Sequence, residues 1–136
     1  MVSRAIAFLF GLLLATAAAA QPVGPPQISC NKTFQVSQGA VALTQIVAGV
    51  AGQSISICGW TLNAGAAAAT AQLQTGTGSN CGTGTAVVTP AYSLAINGVL
   101  TDHISLAYTS LPTGNALCLV TTGTGPMQVM IYYGQF

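Results

Sequence analysis

The sequence predicts an all-β protein, a single jelly-roll-like β-sandwich of about eight short strands that is cross-linked by disulfides. Three observations lead to this prediction. Short runs of apolar and β-branched residues alternate with polar residues along most of the chain. Glycine and proline are frequent between those runs, where turns are expected. Four cysteines follow an N-terminal export signal, and an even number is typical of disulfides in a small exported domain.

Residues 1–20 have the pattern of a secretory signal peptide. A short basic start with Arg4 precedes the apolar residues 5–14, and the small residues 15–20 end in an Ala18-x-Ala20 cleavage pattern. An uncleaved membrane anchor is the alternative. A membrane span needs roughly 20 apolar residues, and the last third of this segment is mostly alanine. We therefore expect cleavage before Gln21 and an exported product that is periplasmic, extracellular or bound to the cell surface.

The rest of the chain fits a single domain. Residues 21–29 are rich in proline, which predicts an extended arm. Residues 30–136 contain no linker, charged run or shift in composition, so we expect them to form one β-sandwich domain.

Eight segments carry strand patterns. In residues 53–62, for example, Ile55 and Ile57 would lie on one face and Ser54 and Ser56 on the other. Residues 68–74 are a weaker strand, because their alanines could also form a helical turn, although no cap or charged pair supports a helix. A glycine-rich loop is expected at residues 76–84. The predicted strands cover residues 41–47, 53–62, 68–74, 85–88, 92–96, 104–108, 117–121 and 127–133.

Charge is almost absent from the chain. Only 2% of the residues are charged, and the part beyond the signal retains just Lys32 and Asp102. Nucleic-acid binding requires several lysines or arginines, and so does attachment to anionic membranes, so we expect neither partner. Edge strands without charged side chains associate readily. We therefore expect a homo-oligomer, or a protein that binds a neutral glycan or surface.

The four cysteines, Cys30, Cys58, Cys81 and Cys118, predict two disulfides in an exported domain. Three pairings are possible, and we favour Cys30–Cys58 together with Cys81–Cys118. A zinc site with four thiolates is the alternative. The spacing contains no Cys-x-x-Cys pair, and export favours oxidation of the thiols.

The sequence predicts no catalytic, cofactor-binding or metal-binding site. Asp102 and His103 are sequence neighbours, so in a strand they would point to opposite faces and could not form a triad pair. We interpret them as a polar turn after Asn97-Gly98. Glycoside hydrolysis needs two carboxylates, and the chain has a single acidic residue. One histidine and one aspartate do not fill a metal site. We expect a protein that is not an enzyme and uses no cofactor.

Aromatic side chains offer a candidate ligand platform. A sugar could stack on exposed rings, although packing in the core is the alternative for most of them. We single out Trp60, Tyr92 and Tyr108. The wider aromatic set also includes Tyr132, Tyr133 and Phe136.

The end of the chain has an alternative of its own. Met130, Tyr132, Gly134 and Phe136 alternate and finish in phenylalanine, which resembles the last strand of an outer-membrane barrel. Barrel strands are about 9–11 residues long. Several of the predicted strands are shorter, and four cysteines are unusual in such barrels.

Five segments of the chain form a recognisable order. They are residues 44–47 (TQIV), the strand at 53–62, the loop at 76–85 (GTGSNCGTGT), residues 114–119 (GNALCL) and the ending at 132–136 (YYGQF). This order resembles a loosely defined group of small β-sandwich proteins found in phages, prophages and bacterial genomes. The resemblance covers most of the chain beyond the signal and brings no catalytic residues with it. It implies a structural role on a virion or cell surface, and the signal peptide favours an exported bacterial relative.

Together these observations predict a non-enzymatic, exported structural or surface-associated module that self-associates. One alternative is a secreted binding module for a neutral ligand such as a polysaccharide, which would require exposed aromatic rings. A second alternative is a small outer-membrane β-barrel.

Overall fold

The chain is a two-layered β-sandwich. A computed structural model describes residues 29–39, 41–103 and 109–136. The predicted signal peptide, all but Ser29 of the predicted arm, and the strand predicted at 104–108 lie outside the described residues. Within them, ten strands form two antiparallel sheets around one apolar core, which confirms the predicted fold class. The described part of the chain contains no helix long and apolar enough to cross a membrane.

The strands follow one another through short connections, and a 3₁₀ turn, Ser79–Cys81, separates the fourth from the fifth. The strands are β1 (Lys32–Gln38), β2 (Ala42–Val47), β3 (Ile55–Ala64), β4 (Ala69–Thr77), β5 (Thr83–Val87), β6 (Tyr92–Leu94), β7 (Val99–His103), β8 (Thr109–Ser110), β9 (Ala116–Gly123) and β10 (Met127–Gln135).

The strand pairing is nested, because strands early in the sequence pair with strands late in the sequence. β1 pairs with β10, β2 with β9, β3 with β7 and β8, and β4 with β5 and β6. Two further ladders, β10 with β3 and β9 with β4, complete the sheets. The first sheet has the order β1-β10-β3-β7, and the second sheet has the order β2-β9-β4-β5. This nested pairing is the jelly-roll arrangement.

The core lies between the two sheets because the strands alternate. In β10, Met127, Val129 and Ile131 are buried, whereas Gln128 and Met130 between them are not. Burial of one large apolar side chain contributes roughly 1.5–3 kcal/mol. The large apolar side chains that are fully buried are Ile55, Ile57, Trp60, Leu62, Leu117, Leu119, Met127 and Ile131.

The alternation of β3 breaks at one β-bulge. Cys58 is an extra residue there, because Ile57 and Gly59 pair with consecutive residues of β10. In a regular strand, two residues three positions apart point to opposite faces. The bulge therefore allows both Ile57 and Trp60 to point into the core.

Three of the described strands, β1, β7 and β8, lie outside the predicted strand segments. The sequence patterns do not predict β1, whose residues alternate between exposed and half-buried positions at a sheet edge. Asp102 and His103 were expected in a turn but lie in β7, where the ladder with β3 holds them. The turn ends before them, with Asn97 at φ 55° and the Gly98 N–H donating to the Ala95 carbonyl oxygen at 2.8 Å.

Both predicted disulfides are confirmed. Cys30 is bonded to Cys58 and Cys81 to Cys118, with Cα–Cα distances of 6.1 and 6.2 Å. The first bond joins the segment just before β1 to the bulge of β3, so it links the two strands on either side of β10. The second bond joins the 3₁₀ turn to β9. Each bond contributes roughly 2–4 kcal/mol by constraining the unfolded chain, and both indicate an oxidising environment.

The glycine-rich loop after β4 folds over the outside of the second sheet. Gly76 lies directly beneath it, since a Cβ there would be 2.8 Å from the Cys81 carbonyl oxygen and 3.0 Å from that of Thr83. From the loop, the Asn80 Oδ1 accepts a hydrogen bond from the Gln45 backbone N–H at 3.1 Å. The loop segment 76–85 of the sequence resemblance therefore covers part of this sheet.

We expect the two disulfides to be reduced in a fixed order. Cys30 is exposed, whereas Cys81 and Cys118 are fully buried. Thiol–disulfide exchange requires that the attacking thiolate reach a sulfur atom. Mild dithiothreitol under native conditions should therefore reduce Cys30–Cys58 first, as measured by alkylation of the free thiols and mass spectrometry.

Reduction in concentrated guanidinium chloride is the control for this experiment. Unfolding exposes all four sulfur atoms, so the difference between the two rates should disappear. Alkylation of Cys81 and Cys118 before Cys30 and Cys58 in the native protein would contradict the expectation.

Candidate functional site

The outer side of the first sheet carries the polar side chains that the core excludes. Because successive residues of a strand point to opposite faces, β1, β3, β7 and β10 each present every second residue to solvent there. We call this surface the first-sheet face. Its side chains are Thr33, Gln35, Ser37, Thr61, Asn63, Val99, Thr101, His103, Gln128, Met130 and Tyr132. None of them is a carboxylate, a lysine or an arginine.

An open cleft lies on the first-sheet face, across β1, β10 and β3. Its volume is about 300 Å³. Neighbouring strands are about 4.8 Å apart, so three of them give a floor about 10 Å wide. Two cross-strand rows form this floor, Gln35–Met130–Thr61 and Ser37–Gln128–Asn63.

The amides of the cleft are available for new hydrogen bonds. The side chains of Gln35, Asn63 and Gln128 line the cleft and make no hydrogen bond to any other described residue. Other glutamines of the sandwich differ. Gln38 donates to a threonine hydroxyl of β2 at 2.6 Å, and Gln135 donates to a backbone carbonyl after β2 at 3.0 Å. Each cleft amide keeps two N–H donors and a carbonyl acceptor for solvent or a ligand.

A pair of rings lies in the row next to the cleft. Tyr132 and His103 flank Gly59 on β3, and their ring centroids are 4.9 Å apart at an interplanar angle of 52°. Gly59 leaves the space that the rings occupy, because a Cβ there would lie 3.4 Å from the Nδ1 of His103. Packing of aromatic rings across a strand glycine stabilises a sheet at this otherwise weak position. The pair extends the cleft with a partly apolar surface.

Asp102 and His103 do not come together in this arrangement. Asp102 pairs with Trp60 on the core side of the sheet, whereas His103 points to the outer face. The two titratable neighbours are thus separated by the sheet, as expected for adjacent strand residues. Within residues 29–39, 41–103 and 109–136, no group of three or more His, Cys, Asp or Glu side chains comes together to hold a metal ion.

Of the three aromatic residues predicted as a ligand platform, Trp60 and Tyr92 pack in or against the core. Trp60 is only 1% exposed, and its ring lies in the core with its centroid 5.9 Å from that of Tyr92. Tyr92 is half-buried against the same core. Tyr108 lies outside the described residues. Trp60 is buried because the bulge of β3 directs its side chain to the inner side of the sheet.

The cleft residues are not evident from the sequence patterns. The alternation of β10 does indicate that Gln128 and Met130 point away from the core. Gln35 and Asn63, however, join them only through the pairing of β1 and β3 with β10. Pairing between strands that are distant along the chain leaves no local sequence signal.

Comparisons with known proteins give one structural likeness. No protein-family model matches the chain, and no curated protein matches it. A crystal structure of PirA is similar over 80% of this chain and 99% of that chain, with 15% sequence identity and a TM-score of 0.39. At this TM-score the similarity assigns neither a family nor a function.

We expect Gly59→Ala to destabilise the protein. The new Cβ would lie 2.5 Å from the Asp102 carbonyl oxygen and 3.2 Å from the Cα of His103, so the β3–β7 ladder would have to shift. The free energy of unfolding should fall by about 1–3 kcal/mol in urea denaturation.

Gly39→Ala is the matched control. A Cβ at Gly39 meets no atom within 4 Å, so the free energy of unfolding should change by less than about 0.5 kcal/mol. Equal losses in the Gly59 and Gly39 variants would show that close packing at Gly59 has no role.

Proposed function

We propose that this protein is an exported, non-catalytic structural module that self-associates through the edge of its second sheet. One observation carries this proposal. β5 is an edge strand whose five residues are all exposed, and none of them is charged or a proline.

The geometry of β5 leaves one side of the strand open. β5 pairs with β4 through Gln74 with Val87 and Thr75 with Ala86. Among the described strands, none pairs with its other side. Its outward N–H and C=O groups therefore form a template on which a strand of a second chain could add.

The charge distribution favours such an addition. Lys32 and Asp102 both lie in the first sheet, and the five strands of the second sheet contain no Asp, Glu, Lys, Arg or His. Proteins usually protect a sheet edge with charged side chains, particularly lysine, and like charges also oppose association. Neither form of protection is present on β5.

Apolar side chains lie at both edges of the second sheet. Val87 of β5 is 62% exposed at one edge, and Leu43 of β2 is exposed at the other. Burial of such side chains between copies would add to the backbone hydrogen bonds of the new ladder. If β5 of one copy pairs with β2 of the next, the contact is head-to-tail and can extend into a layer or fibre.

Three further considerations support an exported structural role. The two disulfides fit a protein that folds after export. The sequence resemblance implies a role on a virion or cell surface. Acid–base catalysis needs titratable side chains close together, and in the described residues Asp102 and His103 lie on opposite sides of their sheet.

We expect wild-type protein purified from cells that express the full-length sequence to form oligomers, and Val87→Lys to shift them toward monomers. A lysine on β5 must remain hydrated, and the charges of two copies repel each other. Light scattering coupled to size-exclusion chromatography over a range of concentrations measures the mass.

Ile96→Lys is the matched control. Ile96 is 59% exposed, close to Val87, but it lies in the turn between β6 and β7. This variant should keep the wild-type mass. A wild-type protein that stays monomeric at every concentration, or equal effects of the two lysines, would overturn the proposal.

A further inference from the structure

We infer that the cleft on the first-sheet face is a binding site for a neutral oligosaccharide. This inference goes beyond the structural role and does not depend on self-association, since it concerns the opposite sheet. The ligand class follows from four properties of the cleft: its neutrality, its amides that make no hydrogen bond to another described residue, the apolar Met130 in its floor, and its rigidity.

The first property is the absence of charge. The cleft is lined by amides, hydroxyls and a thioether, and the whole face lacks carboxylates, lysines and arginines. The two charged residues of the described part of the chain, Lys32 and Asp102, point elsewhere. Asp102 lies in a core-side row, and the Nζ of Lys32 lies 6.0 Å from the centroid of the Tyr133 ring. Recognition of phosphates, sulfates or uronic acids relies on charge-assisted hydrogen bonds, which this cleft does not offer.

The second property is a set of amides whose side chains make no hydrogen bond to another described residue. Gln35, Asn63 and Gln128 come from three adjacent strands and converge on the same cleft. An amide both donates and accepts hydrogen bonds, and so does a sugar hydroxyl. Sugars carry such hydroxyls around the whole ring edge, so several amides can bind one ring at the same time.

The third property is a floor on which the C–H face of a sugar can pack. Met130 lies at the centre of the row between Gln35 and Thr61, and its flexible thioether adapts to irregular apolar shapes. Tyr132 and His103 continue this surface in the next row. Aromatic side chains combine apolar contact with a polar edge.

The fourth property is rigidity. The cleft is built on β-strands rather than loops, which holds the interacting groups at fixed spacings. The Cys30–Cys58 disulfide links the segment before β1 to β3 around the central β10. A volume of about 300 Å³ is at the lower end of small-molecule sites. This size fits one or two sugar rings rather than a folded protein partner.

A second copy of the chain is the competing occupant of this face. The unprotected edge that favours association, β5, belongs to the second sheet. An assembly through that edge leaves the first-sheet face exposed, so many cleft copies could bind one polysaccharide together. Such multivalency would raise a weak single-site affinity.

The test is a titration of isotope-labelled protein, purified from cells that express the full-length sequence, monitored by NMR. The probes are three uncharged hexasaccharides, cellohexaose, laminarihexaose and maltohexaose, and one anionic probe, hexagalacturonate. We expect at least one uncharged probe to bind with a Kd on the order of 0.1–1 mM. The resonances that shift should belong to β1, β3 and β10, and hexagalacturonate should not bind.

Substitutions in the cleft identify the side chains that bind the oligosaccharide. Asn63→Ala and Gln128→Ala should each weaken binding by about fivefold, the usual effect of one neutral hydrogen bond. Tyr132→Ala should weaken it to a similar extent through lost ring contact. Gln72→Ala is the matched control, because Gln72 is a half-exposed amide on the outer side of the second sheet. This variant should bind like the wild type.

Three results would overturn the inference. They are the absence of binding by every uncharged probe, binding that the cleft substitutions leave unchanged, and a change of oligomeric mass in the Asn63 and Gln128 variants without any sugar binding. The last result would identify the face as a protein interface. Circular dichroism verifies that each variant is folded, and Gln35→Ala replaces any variant that is not.

Discussion

The near absence of ionised side chains is the constraint on which the rest of this structure depends. Because residues 29–39, 41–103 and 109–136 form no ion pair, their polar groups rely on neutral hydrogen bonds, each with a net contribution of about 0.5–1.5 kcal/mol. The Ser56 and Ser110 hydroxyls, 2.6 Å apart, link β3 to β8, and the Thr75 hydroxyl donates to the Ala116 carbonyl oxygen at 3.1 Å. Stability therefore comes from ladders, hydroxyl pairs, apolar burial and two disulfides. The same constraint leaves the edges of the second sheet without charged side chains.

The two outer faces of the sandwich use this neutral chemistry differently. The second sheet is partly covered by the glycine-rich loop, which packs on Gly76 and is held by Cys81–Cys118. The first sheet has no such cover within the described residues, and its amides remain open. The association that we propose uses the edge of the second sheet, whereas the ligand binding that we propose uses the open face of the first sheet. Each can then be occupied without blocking the other.

The sequence predicts properties that repeat locally and misses properties that arise from long-range pairing. Alternation and turns predict most of the strands and the sandwich, and the even cysteine count predicts two disulfides. The bulge at Cys58 is a single-residue irregularity, so the burial of Trp60 behind it could not be foreseen from alternation alone. Gln35 and Asn63 come together only because β10 lies between β1 and β3. Sequence patterns describe each strand by itself and do not describe its neighbours.

The nested pairing has a consequence for how the chain acquires its structure. β10, which follows the other nine described strands along the sequence, lies in the middle of the first sheet, between β1 and β3. β1 and β3 therefore cannot complete their sheet until β10 has been synthesised. Pairings of this sequence separation are slow to form, and incomplete intermediates expose unpaired strands. Ribosome-bound or truncated chains that lack β10 should be the species that chaperones hold and proteases remove.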